Sequence, residues 1–143
     1  MEGYGVLGER LSSSSAPRAH ALLWNDAFTV HEVPPEELGA FLARRAFRGL
    51  TVSMPYKKAV IPFCDALDPL AERIGSVNAL LVEPDGSLKG YNTDYYGFAW
   101  MVKRAGVNLQ GAKLLVLGTG GAAAAAEAVA ADLGAREVVP VSC

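Results

Sequence analysis

Strand, glycine turn and helix follow one another without a break over residues 113–133, and this order restricts the chain more than any other stretch. Lys113–Leu117 is an apolar run of strand length, Gly118-Thr-Gly-Gly121 is a glycine cluster, and Ala122–Leu133 is built almost wholly of strong helix formers. The spacing Gly118-x-Gly120-x-x-Ala123 matches the dinucleotide-binding pattern in the context that pattern needs, after a strand and at the start of a helix. Gly118 permits the tight turn, and Gly120 removes a side chain where a pyrophosphate must approach the backbone. Ala123 lets helix and strand pack closely, with Gly121 and Ala122 at the helix amino terminus beside the phosphate. A plain strand-to-helix turn with an alanine-rich packing face has the same spacing; the surrounding context favours the nucleotide.

Length limits what this turn can open. A chain of 143 residues suffices for one ordinary domain with a real core but not for two complete ones. Only the first β-α-β of a dinucleotide fold fits before Cys143, so the expectation is a truncated product. Residues 1–106 would form one α/β domain and residues 107–143 the beginning of another, with Gly106–Gly111 as the boundary. The acid or base that separates NAD from NADP belongs about 20 residues beyond the turn. That point falls near Val138-Val-Pro-Val-Ser142, so the choice of cofactor is not legible from these residues.

Composition excludes several functions. Half the residues are apolar (51%), a fifth are charged (20%), and a net charge of -2 offers no electrostatic grip on nucleic acid or anionic lipid. No apolar run approaches the length of a membrane span and the amino terminus lacks a secretory pattern, so the expected compartment is the cytoplasm. Cys64 and Cys143 are far apart and without ligand-spaced histidines, which argues for two ordinary thiols and against a disulfide or metal site.

The rest of the chain reads as alternating strands and helices, hence an α/β fold. Tyr4–Leu7 is a strand, and the Ser12–Ser15 cluster with Pro17 opens a helix over Pro17–Trp24. Phe28–Val33 is a strand; Pro34-Pro-Glu-Glu37 starts a helix that ends near Arg45. Gly49–Met54 is a strand stopped by Pro55, and Lys57–Leu67 has a helical pattern interrupted at Pro62. Pro84-Asp-Gly-Ser87 is hairpin chemistry between strands at Val77–Val82 and Leu88–Tyr91, which makes the sheet mixed; Phe98, Met101, Val102 and Ala105 line a helix that Gly106 ends.

The ordered motifs resemble those of the shikimate dehydrogenase family, quinate-type relatives included. Tyr4-Gly-Val-Leu-Gly8 with Ser14 and Pro17-x-x-His20 is similar to that family's opening Gly-x-x-x-x-x-Ser-x-Ser-Pro-x-x-His segment. Thr51-Val-Ser-Met-Pro-Tyr-Lys57 is similar to its Asn-Val-Thr-x-Pro-x-Lys loop, Gly75-Ser-Val-Asn78 to Gly-Ala-Val-Asn-Thr, and Gly90-Tyr-Asn-Thr-Asp94 with Gly97 to Gly-x-Asn-Thr-Asp-x-x-Gly. The resemblance implies an amino-terminal substrate domain followed by a Rossmann-type dinucleotide domain, and the reversible NADP-dependent reduction of 3-dehydroshikimate to shikimate in aromatic amino acid biosynthesis, with NAD not excluded. It implies Lys57 as acid/base beside Asp94, with Ser14, Ser53, Asn78 and Asn92 holding a cyclic hydroxy acid. Gly118, Gly120, Gly121, Ala122 and Ala123 would hold the cofactor. The expected partner is that small molecule, with a homodimer left open.

The chemistry agrees, because oxidising a secondary alcohol needs a group that takes the hydroxyl proton as hydride leaves. A carboxylate beside a lysine favours the ammonium form, so burial has to oppose it if the lysine is to release a proton. Taken from spacing alone, Lys57 beside Lys58 could equally be a solvated charge, Asp94 a helix cap, the two asparagines turn formers and Ser14 part of a cap. Ala16, Thr51 and Ala79 depart from the family pattern. Losing a hydroxyl at a carboxylate site removes a hydrogen bond of about 1.5–3 kcal/mol, which leaves room for quinate, aminoshikimate or another related acid. Two further readings stay open: a homologue that binds without turnover, and a structural α/β piece that pairs with a separate chain.

Overall fold

Parallel pairing begins with β1 (Tyr4–Gly8), whose apolar residues Val6 and Leu7 are buried between two neighbours, β2 (Phe28–Glu32) and β3 (Gly49–Val52). The computed structural model describes residues 3–12, 14–23 and 28–142. The sheet continues antiparallel from β3 to β5 (Ala79–Val82) and from β5 to β6 (Leu88–Tyr91), then parallel to the two-residue β4 (Ala66–Leu67). The order is β2-β1-β3-β5-β6-β4, a six-stranded mixed sheet.

The helices cover this sheet. α1 (Ala16–Leu23) follows the serine cluster, and Trp24, the last residue of its expected span, lies outside the described residues. A 3-10 turn at Pro35–Glu37 leads into α2 (Leu38–Arg44), which ends at Arg45 in the left-handed region (φ 46). α3 (Tyr56–Ala59) and α4 (Pro69–Ile74) complete the layer. Leu7, Leu38, Leu42, Phe47, Leu50, Tyr56, Val77 and Leu88 form one continuous core. Cys64 borders it: its thiol donates to the carbonyl of Val60 at 3.5 Å, and burial, then the charge of Asp65, pushes it up to about 11.

One expectation needs correction. The helical reading of residues 57–67 fails, because the chain gives a single turn of α3, a 3-10 turn at Ile61–Phe63 built on Pro62, and then strand β4. Proline at 62 removes a backbone donor and cannot continue the first turn. The true helix lies just beyond, at α4, where Asp68 accepts the Leu70 N–H, Pro69 occupies the first position and Gly75 (φ 67) ends it.

α5 (Asp94–Arg104) follows β6 and stops at Gly106 (φ 68). The chain then makes β7 (Lys113–Leu117), α6 (Gly121–Asp132) and β8 (Glu137–Val141), with β7 and β8 paired in parallel as a separate two-stranded sheet. α6 buries Ala125, Val129 and Ala130, and it packs on α5 and α4. The opposite face of β7 is bare, with Leu115 64% and Leu117 71% exposed. Among the described residues no helix is long and apolar enough to cross a membrane, and no group of side chains is suited to hold a metal ion.

Candidate active site

In open α/β sheets, ligands lie beyond the carboxyl ends of parallel strands, where neighbouring connections leave in opposite directions. β1 is such a point, flanked in parallel by β2 and β3. The loops that leave β1 and β3 are held together there, with the Glu9 N–H reaching the Met54 carbonyl at 3.5 Å and the Ser53 N–H reaching the Leu7 carbonyl at 2.8 Å. Ser14 and Ser53, both half-buried, belong to these two loops.

α3 hangs from the second loop and presents Lys57. Its anchor is Tyr56, fully buried, whose hydroxyl donates to the Val33 carbonyl at 2.5 Å. The Lys57 carbonyl in turn accepts the Val77 N–H at 2.7 Å, so the lysine backbone is fixed to the segment that carries Asn78 and leads into β5. The ammonium of Lys57 meets Asp94 Oδ2 at 2.5 Å, with the two side chains only 17% and 29% exposed. Half-burial and close pairing make this a strong ionic contact compared with a surface pair, because little water screens it.

Asp94 is the first residue of α5, but it does not cap that helix. Asn92 does so, its Oδ1 accepting the Tyr95 N–H at 3.2 Å while its Nδ2 donates to the Ser76 carbonyl at 2.8 Å. The Asn92 side chain is thus engaged at both ends with backbone, in a residue only 2% exposed. Asn78 faces the other way. Its Nδ2 donates to Asp94 Oδ1 at 2.8 Å and to Thr93 Oγ1 at 2.9 Å, and its Oδ1 accepts the Thr93 N–H at 2.7 Å. Lys57, Asp94 and Asn78 therefore form one network, with Asp94 held by a cation on one oxygen and an amide on the other. Ser14 stands apart from it, with its hydroxyl oxygen accepting the Ala16 N–H at 3.3 Å in a local turn.

The glycine turn reaches this network from the other side. Gly118 has φ 122, a conformation side chains rarely adopt, and its N–H donates to Val141 O at 2.8 Å. Nothing lies within 4 Å of where a side chain on Gly120 would stand, so the backbone there is open to a ligand. Lys58 donates to the Thr119 carbonyl at 3.2 Å. Arg73 on α4 binds Asp132 at the far end of α6 through both carboxyl oxygens, at 2.9 and 2.6 Å, and Tyr95 OH joins them at 2.6 Å. Hydrogen bonds from Arg73 and then Tyr95 hold the Asp132 carboxyl down to about 2. An apolar groove of about 410 Å3 between α5, residues 107–109 and Leu133 contains none of these residues.

Thr93 and Ser76 are members of the site that motif reading passed over. Thr93 lies inside the Gly90–Asp94 motif and supplies both a hydroxyl and an N–H to Asn78. Ser76 is fully buried and its hydroxyl has no hydrogen-bond partner among the described residues.

Fold and site together define a small-molecule-binding α/β domain, with a polar cluster at the carboxyl ends of its parallel strands, joined to a parallel βαβ unit. The profile of the shikimate dehydrogenase substrate binding domain matches residues 6–80. The chain belongs to the shikimate dehydrogenase family. It is 37% identical to the shikimate dehydrogenase (NADP(+)) of Clostridium beijerinckii over 150 residues, covering 99% of this chain and 55% of the relative. The crystal structure of shikimate dehydrogenase 1 from Peptoclostridium difficile superposes with a TM-score of 0.90 at 34% identity, covering 98% of this chain and 54% of that one. The Thermus thermophilus shikimate 5-dehydrogenase in complex with NADP(H) and shikimate gives 0.84 at 36% identity, covering 98% and 56%. The chain spans about half the length of the curated relatives it matches.

Proposed function

We propose that this chain carries the substrate domain, residues 1–106, and the opening of a Rossmann-type dinucleotide domain, residues 107–143, of an NADP-dependent oxidoreductase that reversibly reduces 3-dehydroshikimate to shikimate. The observation that carries the reading is the 2.5 Å contact of Lys57 with Asp94, beside the carboxyl ends of β1 and β3. The Lys57 amine, once its ammonium proton has left to solvent, takes the hydroxyl proton of the alcohol during oxidation, and the ammonium so formed returns it during reduction. Asp94 accepts from the same hydroxyl and is aimed by Asn78, which bonds its other oxygen at 2.8 Å.

Ser14, Ser53, Asn78 and Asn92 form the proposed substrate-binding set. Asn92 uses its Oδ1 and one amide hydrogen on backbone atoms, which fixes the start of α5 and leaves its second amide hydrogen for the ring. NADP, when bound, supplies the hydride donor or acceptor at the ring carbon. The glycine turn fits it: Gly118 adopts the conformation the turn demands, Gly120 leaves the backbone uncovered, and Gly121, Ala122 and Ala123 open α6, where N–H groups have no acceptor within the helix.

The carboxylate end favours a second reading in part. Alanine at 16 leaves Ser14 alone there, and the Ser14 oxygen already accepts the Ala16 N–H. A related cyclic acid such as quinate or aminoshikimate, or binding without turnover, is the alternative. The test follows NADP reduction by absorbance with shikimate, quinate and aminoshikimate, using the chain alone and the chain fused to the carboxy-terminal half of the Clostridium beijerinckii relative. Lys57→Ala and Asp94→Asn are each expected to lower turnover about a hundredfold or more with folding intact. Turnover like wild type in either variant removes that residue from its role. Thermal stabilisation by shikimate with no NADP reduction favours the binding homologue.

A further inference from the structure

Gly121 is not explained by the dinucleotide pattern, which asks for glycine at 118 and 120 and a small residue at 123. Its backbone does not require glycine either, since only Gly118 of the turn has positive φ. Alanine is the better helix former, and α6 continues from Gly121 as Ala-Ala-Ala-Ala-Ala. Something outside the helix therefore excludes a methyl group at its first position.

The excluding atoms belong to the first domain. A Cβ at 121 would lie 2.4 Å from Ser76 Oγ, 2.7 Å from Lys57 Cβ and 3.0 Å from Lys57 Cδ, whereas nothing lies within 4 Å at Gly118 or Gly120. The stem of Lys57 thus rests directly on the first turn of α6. Ser76 fills the remaining space as a buried hydroxyl without a partner among the described residues, 2.4 Å from where a side chain on Gly121 would stand, an arrangement that leaves no slack for the turn to move inward. The contact is secured at both ends of α6, by Lys58 on Thr119 and by Arg73 and Tyr95 on Asp132.

We propose that Gly121 is a positioning residue for Lys57: it is the wall that holds the lysine's stem so that its ammonium meets Asp94. Movement of the glycine turn and the aim of the lysine are then mechanically linked. The value of that aim for chemistry rests on the reading of Lys57 as acid/base; the contact itself does not.

A lysine-labelling experiment on the 143-residue chain separates the two. An amine-acylating reagent is applied to the native protein and its rate at each lysine is read by peptide mass spectrometry, with Lys89 and Lys113 as internal references. Gly121→Ala is expected to raise the Lys57 rate about tenfold, equivalent to about 1.4 kcal/mol of lost protection. Gly120→Ala, with open space around it, leaves the rate unchanged. Adding Ser76→Gly to Gly121→Ala removes the tightest clash and restores part of the protection. If Gly121→Ala does not fold, Ser76→Thr pushes on the same contact from the opposite wall and is expected to raise the Lys57 rate likewise. A Lys57 rate like wild type in folded Gly121→Ala, or in folded Ser76→Thr where the first cannot be read, overturns the proposal. Loss of turnover plays no part in this readout, so the proposal can fail while the catalytic reading stands, and the reverse.

Discussion

At the scale of the residue, Asn78 decides most. Its amide spans the Thr93 N–H and Asp94 Oδ1, so one side chain sets both the start of α5 and the orientation of the carboxylate that pairs with Lys57. Asn78→Ala leaves the Thr93 N–H without its acceptor and Asp94 without its second partner. It is expected to cost about 1–3 kcal/mol in a urea unfolding titration. A cost below a few tenths would show that water replaces the amide without loss. Lys57 and Asp94 were legible as a pair only through the order of family motifs. No helical or strand period links positions 37 residues apart; the link is made by α3 hanging from β3 and α5 starting after β6. Asn92 shows the opposite limit: the turn-forming reading open to it covers its hold on the Tyr95 N–H, but nothing in its sequence context points to the Ser76 carbonyl.

Elements were more legible than contacts. Apolar runs and turn chemistry located β1, β2, β3, β5, β6, β7 and α6 within a few residues, because burial of one face leaves a period in the sequence. α4 is masked in the sequence: Asp68, Pro69 and Gly75 spell out its start and stop, but the helical pattern of residues 57–67 runs up to it and blurs the boundary. α3 is only one turn long and cannot be stable by its own hydrogen bonds. It is held from outside, by the Tyr56 hydroxyl on Val33 and the Val77 N–H on the Lys57 carbonyl. Tyr56→Phe should therefore cost about 1–3 kcal/mol, the cost of an unsatisfied buried carbonyl, measurable by thermal or urea unfolding. A neutral result would place the hold on α3 in packing alone.

At the scale of the whole molecule, the βαβ unit is tied to the six-stranded domain through α6, and Asp132 is the charged part of that tie. Its carboxyl lies at about 2 when folded against an ordinary value of 3.8, chiefly through the hydrogen bond from Arg73. A depressed acid stabilises the fold above its ordinary value and loses that contribution as pH falls. Asp132→Asn is expected to lower the melting temperature modestly at pH 7, since the pair is partly exposed and screened. The gap from wild type should close as the pH is taken from about 4 down to about 2. A gap that stays constant over that range would assign the loss to geometry and not to charge.

The leucines on the uncovered side of β7 have a practical result. Parallel strands are ordinarily sheltered on both faces, and a greasy row left in water lowers the concentration at which molecules begin to clump. Swapping Leu115 and Leu117 for lysines, far from the chemistry, is expected to raise the concentration at which this polypeptide clumps, read by light scattering.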